Sequence, residues 1–323
     1  MTVCAKPSVT SVNCWASNMA TLTFSVVVTN YNYREFVLEA VDSALAQSRA
    51  PLEVIVVDDG STDDSADLLR ERYGDDARVD LVAGPNGGQL TAFQRGLAKA
   101  KGDIVCFLDA DDRWGPDYLR QIGEVFDARG DIDFVFSDVQ LIGNESGRQG
   151  YAEQATDLGY TVLGTWVRAH WYGAPTSALA LRRRLAERVL DLPPEFVAQW
   201  RISADNCLVF GASVLGAKKY FLPTGQVDYR IHGRNGWWHD QKKAREFLAQ
   251  IRSRCLINYY AQRMQLDIHA LDLAKQEFKS RSQPTWKEAC MYADIALRGP
   301  AVWWKRLERA VAILSRGARS KQK

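Results

Sequence analysis

The sequence predicts an α/β fold, in which helices flank a mostly parallel sheet, followed by a helical C-terminal extension. Short apolar runs rich in β-branched residues alternate with segments of helical periodicity from Phe24 onward. Polar residues cluster where several of these runs end. Alternating strands and helices favour a parallel sheet, because each crossover helix covers one of its faces.

Five strands and four helices are predicted in the first 140 residues. The clearest strand runs from Ile104 to Leu108, because every residue in it is apolar and Gly102 and Asp109 bound it. The strands are predicted at 24–29, 52–57, 79–82, 104–108 and 134–137. The helices are predicted at 34–47, 62–73, 89–100 and 117–128. Ser61 or Thr62 is expected to cap the second helix, and the fourth begins after Pro116.

Composition is that of an ordinary globular protein. Apolar residues make up 46% and charged residues 25% of the 323, and a net charge of +2 gives no reason to expect nucleic acid as a partner. The six cysteines are scattered without a CxxC pair, which favours reduced thiols and a cytoplasmic protein. No apolar run reaches the roughly 18 residues of a membrane span. Residues 1–23 are expected to be a flexible leader, since they lack the apolar core of a signal peptide.

Three polar segments follow predicted strands, at 29–32, 58–63 and 109–112. Right-handed crossovers would bring these strand ends to one rim, where open α/β sheets bind ligands. In the third segment, Asp109, Asp111 and Asp112 would repel one another unless a cation lay between them. Magnesium or manganese suits such oxygen ligands and could hold a diphosphate. The alternative is a polar loop of solvated acids.

Neither GxGxxG nor GxxxxGK[ST] is present, which argues against a dinucleotide-binding enzyme and a P-loop NTPase.

The N-terminal part resembles the family 2 glycosyltransferases of GT-A fold, inverting enzymes that take a sugar from a nucleotide-sugar donor. The motifs that carry the resemblance are SVVVTNYN at 25–32, EVIVVDDGSTD at 53–63, GDIVCFLDADD at 102–112 and YRIH at 229–232. The resemblance implies a catalytic domain at 24–236, with a nucleotide-sugar half at 24–140 and an acceptor half at 141–236. Residues 237–323 form the helical, basic extension.

The resemblance assigns the base pocket to the first two polar segments. Thr29 and Tyr31 would line the pocket, with Tyr31 against the base, and Asp59 would accept a hydrogen bond from the base, commonly uracil. Asp58 would help to orient the loop. The alternatives are that Tyr31 caps the edge of the core and that one of the two acids only forms the turn before Gly60. Gly87 and Gly88 would let the backbone approach the donor, or belong to an ordinary loop.

The third segment and the YRIH motif would hold the diphosphate. Asp109 and Asp111 form the DxD motif for ribose and metal–diphosphate, with Mg²⁺ or Mn²⁺ as the cofactor, and Asp112 would share in metal binding. His232 would reach the metal or the diphosphate, and Arg230 or Arg234 would add positive charge; a structural histidine is the alternative. The family often has Asn in the helix before the DxD strand. Here Gln94 takes that place, so the pocket wall is expected to differ.

The resemblance places the catalytic base at the start of a helix in the second half. Asp205 is the candidate, although Ala204 replaces the usual preceding Glu, and a helix cap is the alternative role. The segment from Gly164 to Ser177 would bind the acceptor or form an aromatic patch of the core. Two tryptophans and a histidine at 237–239 would cover the acceptor or pin the C-terminal helices.

The tail is predicted to be helical and basic, with eight Lys/Arg and one Glu at 298–323. Its interleaved aromatic, aliphatic and basic residues at 300–316 suit a helix lying on anionic lipid, as a peripheral membrane contact; a helix packed on its own core or on a second subunit of a homo-oligomer is the alternative.

The predicted reaction is inverting transfer of a hexose-type sugar from a nucleoside diphosphate, UDP-linked, to a hydroxyl acceptor in cell-surface polysaccharide or glycolipid synthesis. The acceptor would be a saccharide or a lipid-linked saccharide, met in the cytoplasm at the inner face of the plasma membrane. A metal-dependent nucleotidyltransferase and an inactive sugar-nucleotide-binding module are the rival functions.

Overall fold

The computed structural model describes residues 21–233 and 243–320. The first half contains β1 (Phe24–Asn30), α1 (Val37–Leu45), β2 (Glu53–Asp58), α2 (Ser65–Tyr73), β3 (Val79–Ala83), α3 (Gln89–Leu97), β4 (Ile104–Asp109), β5 (Arg113–Trp114) and α4 (Tyr118–Ala128). The next part contains β6 (Phe134–Ser137), β7 (Val139–Gly143), β8 (Gly147–Gln149), β9 (Thr156–Gly159), α5 (Val162–Arg168), β10 (Leu179–Arg182), α6 (Arg183–Leu190), α7 (Pro194–Gln199), α8 (Asp205–Val214), β11 (Lys219–Leu222) and β12 (Val227–Ile231). The C-terminal helices are α9 (Lys243–Arg263), α10 (Ala274–Lys279), α11 (Trp286–Arg298) and α12 (Trp303–Ser320).

The predicted α/β fold class is confirmed. An eight-stranded sheet has the order β3-β2-β1-β4-β10-β6-β11-β9, and β5, β12, β7 and β8 form a second, smaller sheet. The neighbours β3, β2, β1 and β4 are all parallel, whereas β10 runs antiparallel to both β4 and β6. The large sheet is therefore mostly parallel, with β10 reversed in its middle and β9 reversed at one edge.

Strand register brings the three polar segments together at one rim. Thr29 pairs with Asp109, and Asn30 pairs with Asp58. The side chains of β1 and β2 are buried throughout, as expected of strands covered on both faces. The ligand-binding rim predicted from the sequence is thus set by the pairing of three central strands.

The predicted cap of the second helix is wrong. That helix begins at Ser65, because Ser61 is used in the loop before it: its hydroxyl accepts hydrogen bonds from the Asn32 N–H (2.9 Å) and from Asn30 Nδ2 (3.1 Å). The loop therefore ties the ends of β1 and β2 together instead of starting the helix.

The tail from residue 243 is helical, as predicted, and has its own apolar cluster. Buried residues of α10, α11 and α12 meet Leu163 of α5 in this cluster. Within the described ranges, no helix combines the length and the apolar character that crossing a bilayer requires. The predicted roles of residues 1–20, Arg234 and the aromatic residues at 237–239 lie outside the described residues.

Candidate active site

Asp109 forms the floor of the site at the end of β4. One of its carboxylate oxygens, Oδ1, accepts hydrogen bonds from Thr29 Oγ1 and from Gln89 Nε2, each at 3.0 Å. Burial, followed by repulsion from Asp111, raises the pKa of Asp109 to about 7, and repulsion from Asp205 also contributes. Positive charge beside this group would favour its ionised form.

Asp112 is buried and bonded on both oxygens. Ser177 Oγ donates to Oδ2 at 2.5 Å, and the Arg230 N–H donates to Oδ1 at 2.8 Å. Burial and repulsion from the other two acids raise its pKa well above the ordinary value. Because protein donors engage both oxygens, the geometry favours a role for Asp112 in orienting the acidic turn over the predicted direct contact with a metal.

Asp111 lies beside His232, with 3.0 Å between Asp111 Oδ2 and His232 Nε2. The imidazole stacks on Phe36 (5.3 Å between ring centroids) and meets Tyr33 edge-on (5.5 Å). In the described part of the chain, no group of three His, Cys, Asp or Glu side chains is arranged to hold a metal. Mg²⁺, however, is usually held by one or two carboxylates together with substrate phosphates. Asp111 and His232 fit that kind of site, since they supply a carboxylate oxygen and an imidazole nitrogen side by side.

Arg230 holds the turn formed by residues 109–112 in place through the backbone of that turn. Its Nε donates to the Asp111 carbonyl oxygen at 2.8 Å, its Nη2 donates to Glu39 Oε2 at 2.6 Å, and its guanidinium lies over Phe36. The predicted contact with phosphate would compete with these bonds. The structure therefore favours a positioning role for Arg230.

The predicted base pocket lies at the ends of β1 and β2. Asp58 accepts hydrogen bonds from Asn30 Nδ2 (2.7 Å) and from the Ser61 N–H (3.0 Å), so its carboxylate orients the loop, as expected. Tyr31 is 46% exposed at the rim, which does not support the alternative of a cap on the core.

Asp59 fastens the Gly87–Gly88 loop. Its carboxylate accepts hydrogen bonds from the N–H groups of Gly87 (2.9 Å) and Gly88 (2.6 Å) and from Arg95 Nη1 (2.9 Å). Gly88 has φ +87°, and a Cβ there would lie 2.6 Å from Arg201 Cα. Glycine at position 88 thus lets the backbone of Arg201 come close. The sequence had predicted close approach to the donor, not to another part of the protein.

Gln89 joins the two halves of the site, and sequence reasoning missed it. Its Nε2 donates to Asp109 Oδ1 and, at 3.2 Å, to Thr176 Oγ1, while its Oε1 accepts from the Ala204 N–H at 2.9 Å. The sequence did carry a signal for this role, because Gln89 is a polar residue that directly follows two glycines at the start of a helix on the same rim. Gln94, in the same helix, instead donates its amide hydrogen to the Leu190 carbonyl oxygen and so ties α3 to α6.

Asp205 is the first residue of α8, and the preceding Ala204 occupies the cap position. Asp205 is therefore not the cap residue, although its Oδ1 accepts a hydrogen bond from the Asn206 N–H in the first turn of α8 (3.0 Å). Burial raises the pKa of Asp205 to about 6. The N–H of the preceding Ala204 donates to Gln89, whose amide also bonds Asp109, so the start of α8 is tied to the end of β4. Ser203, two residues earlier, has φ +60°, a strained conformation for a non-glycine residue.

The segment from Gly164 to Ser177 contributes to both the core and the site. Tyr172 is fully buried and packs against His170, with 4.3 Å between ring centroids, as the core alternative predicted. Thr176 and Ser177 instead bond to Gln89 and Asp112, which places them among the donor-side acids.

Comparison with known proteins identifies the family. The family model "Glycosyl transferase family 2" matches residues 25–190. An uncharacterized glycosyltransferase of Nostoc sp. is 38% identical over 219 residues, which is 65% of each chain. A putative teichuronic acid biosynthesis glycosyltransferase of Bacillus subtilis is 39% identical over 98 residues, 30% of this chain and 39% of that protein. The amylovoran biosynthesis glycosyltransferase AmsB of Erwinia amylovora is 36% identical over 137 residues, 40% of this chain and 45% of that protein. The matched parts are thus less than two thirds of these relatives.

Solved structures share the fold. Staphylococcus aureus TarS 1–349 in complex with UDP-GlcNAc has a TM-score of 0.55 at 15% identity, covering 93% of this chain and 92% of that one. Its complex with UDP has a TM-score of 0.53 at 18% identity, with the same coverage. The family match extends over half of the chain and includes the acidic rim described above. The chain belongs to glycosyl transferase family 2.

Proposed function

We propose that this protein transfers a sugar from a UDP-linked donor to an acceptor hydroxyl, with inversion at the anomeric carbon. The observation that carries the proposal is the bridge made by Gln89, whose amide bonds both Asp109 at the end of β4 and the Ala204 N–H directly before Asp205. Solved neighbours in complex with UDP and UDP-GlcNAc support the choice of donor.

The donor half of the site would hold the nucleotide and its diphosphate. Thr29, Tyr31 and the loop ordered by Asp58 and Asp59 surround the place proposed for the base. Asp111 and His232 would hold Mg²⁺ or Mn²⁺, which when bound neutralises charge on the leaving nucleoside diphosphate. Asp109 would meet the ribose.

Asp205 is proposed as the general base. In an inverting reaction, one carboxylate takes the proton of the acceptor hydroxyl as its oxygen attacks the anomeric carbon. A pKa of about 6 suits this task, because the carboxylate is mostly ionised at neutral pH and is more basic than an ordinary Asp. An acid placed in this way also argues against an inactive binding module.

The proposed setting is the synthesis of a cell-surface polysaccharide or glycolipid. Relatives named for teichuronic acid and amylovoran biosynthesis support it. The acceptor would then be a saccharide or a lipid-linked saccharide, met at the inner face of the plasma membrane.

Calorimetric titration with UDP and GDP, with and without Mn²⁺, tests the donor site. We expect UDP to bind in the presence of Mn²⁺ and Asp111→Ala to lose that dependence on the metal. The control is Asp191→Ala, because Asp191 is an exposed acid whose side chain bonds to Arg263 at the surface. If neither nucleotide binds the wild type under any metal condition, the proposed donor is wrong.

A further inference from the structure

Helix α12 presents large apolar side chains to solvent. Trp303, Trp304, Leu307 and Val311 are 68%, 52%, 50% and 52% exposed, respectively. We call these four residues the apolar face of α12. Spacings of three and four residues place Trp304, Leu307 and Val311 on one side of a helix. They are therefore exposed together as a stripe.

The helix packs on its neighbours through residues outside the stripe of Trp304, Leu307 and Val311. Ala310 and Ile313 are buried in the C-terminal cluster, and Gly317 allows the backbone to approach Ala289 of α11 closely. Packing of α12 on its neighbours thus leaves Trp304, Leu307 and Val311 in solvent, and Trp303, seven residues before Ala310, is exposed as the first residue of the helix. Exposed patches of this kind mark sites of interaction with a partner or a membrane.

Two further exposed leucines lie on elements that neighbour α12. Leu297, at the end of α11, is exposed, and its carbonyl oxygen accepts a hydrogen bond from Arg306 Nη1 at 3.1 Å. Leu273 is also exposed and follows Asp272, which forms an ion pair with Arg309. Both leucines thus lie near arginines of α12.

The charges around this surface are positive. Its nearby carboxylates are already paired, Glu308 with Lys275 (3.2 Å) and Asp272 with Arg309. In the described part of the chain, by contrast, no carboxylate pairs with Lys305 or Arg319. Residues 298–323 carry eight Lys/Arg against one Glu. A second copy would bring two surfaces of the same sign together, whereas an anionic surface would complement them.

We propose that the apolar face of α12 docks this protein on an anionic lipid surface, with the helix lying in the plane of the headgroups. Tryptophan is suited to the membrane interface because its ring is apolar and its N–H is polar. Basic side chains beside it are attracted by anionic lipids. Docking by this face would hold the enzyme where a lipid-linked acceptor lies.

Flotation with lipid vesicles tests the proposal on the full chain. The vesicles contain phosphatidylcholine alone or with about 30% phosphatidylglycerol. We expect the wild type to float with the anionic vesicles, and Trp303→Ser combined with Trp304→Ser to weaken binding by at least about tenfold. Lys305→Glu combined with Arg319→Glu should weaken binding several-fold at low salt and less at high salt. Leu52→Ser is the control, because Leu52 is 50% exposed just before β2, outside this surface.

Three results would overturn the proposal. The first is failure of the wild type to bind either vesicle. The second is equal binding by the double tryptophan variant, provided that its thermal unfolding matches the wild type. The third is a lipid-free dimer in sedimentation velocity that this variant converts to monomer without any change in flotation, which would assign the surface to a second copy. Flotation needs neither donor nor acceptor, so its failure would leave the proposed reaction untouched.

Discussion

At the scale of single residues, Gln89 is the connection between the donor acids and the loop of the proposed base. One amide reaches Asp109, Thr176 and the Ala204 N–H, all within 3.2 Å. We expect Gln89→Ala to lower kcat/KM by about 10- to 100-fold, since small displacements of reacting groups cost that much. Steady-state kinetics with a UDP-sugar donor measures the effect.

Gln94→Ala is the control for Gln89→Ala. It removes the same side chain from the same helix, but the lost bond is to the Leu190 carbonyl oxygen. Either variant should lower the free energy of unfolding by about 1 kcal/mol. An equal loss of activity in the two variants would show that Gln89 acts only through the stability of α3.

Asp205 allows a separate prediction about pH. Asp205→Asn should lower kcat by about 10²- to 10⁴-fold while UDP binding persists, because only the proton acceptor is lost. The base must be ionised to act, and burial raises its pKa to about 6. Wild-type kcat should therefore fall as pH drops below about 6. The residual activity of Asp205→Asn should not show this acidic limb of the pH–rate profile.

The exposed acid Glu195 provides the comparison for Asp205. Glu195→Gln should keep the activity and the pH profile of the wild type, because Glu195 lies in α7, outside the site. A variant Asp205→Asn that kept the acidic limb would assign the titration to another group.

At the scale of elements, strands were predictable where they are apolar and unbroken. The observed β4 extends the predicted 104–108 run by one residue, and β6 matches its prediction. The reversed strand β10 was not predicted, because four residues carry little periodicity and both of its partners are distant in sequence. Ser177 lies just before β10. Ser177 therefore lies beside the acids of β4 because β10 pairs with β4, and the sequence gives no sign of that strand pairing.

Helix α11 of the tail begins with a capping box. Thr285 Oγ1 accepts from the Glu288 N–H (3.2 Å), and Glu288 Oε2 accepts from the Thr285 N–H (2.8 Å). We expect Thr285→Ala to lower the free energy of unfolding by about 1 kcal/mol, and Thr285→Ser to keep most of it. Urea denaturation measures both. Equal losses in the two variants would mean that the methyl group, not the hydroxyl, stabilises this helix start.

At the scale of the whole molecule, the sequence predicted a catalytic sheet and a helical tail, and the described residues contain both. What it did not predict is how the second half returns to the site. Lys219 of β11 illustrates the return: its Nζ donates to the carbonyl oxygens of Tyr172 and Val209, each at 2.9 Å. These two residues lie in the segment that leads to Ser177 and in the helix that begins at Asp205. A lysine in an otherwise apolar strand gave no sign of this role.

The burial of Lys219 makes stability depend on pH in a direction that can be tested. Burial lowers its pKa well below the ordinary value, whereas the unfolded chain keeps a lysine pKa of about 10.4. Between the two pKa values the unfolded chain binds more protons than the folded one, so the free energy of unfolding rises with pH.

Lys219→Met should reduce this slope by up to about 1.4 kcal/mol per pH unit, measured by urea denaturation at pH 7 and pH 9. Lys218→Met, which removes a surface ion pair with Asp131, retains Lys219 and should keep the wild-type slope. An unchanged slope in Lys219→Met would show that the buried amine keeps its proton, held by the two carbonyl oxygens.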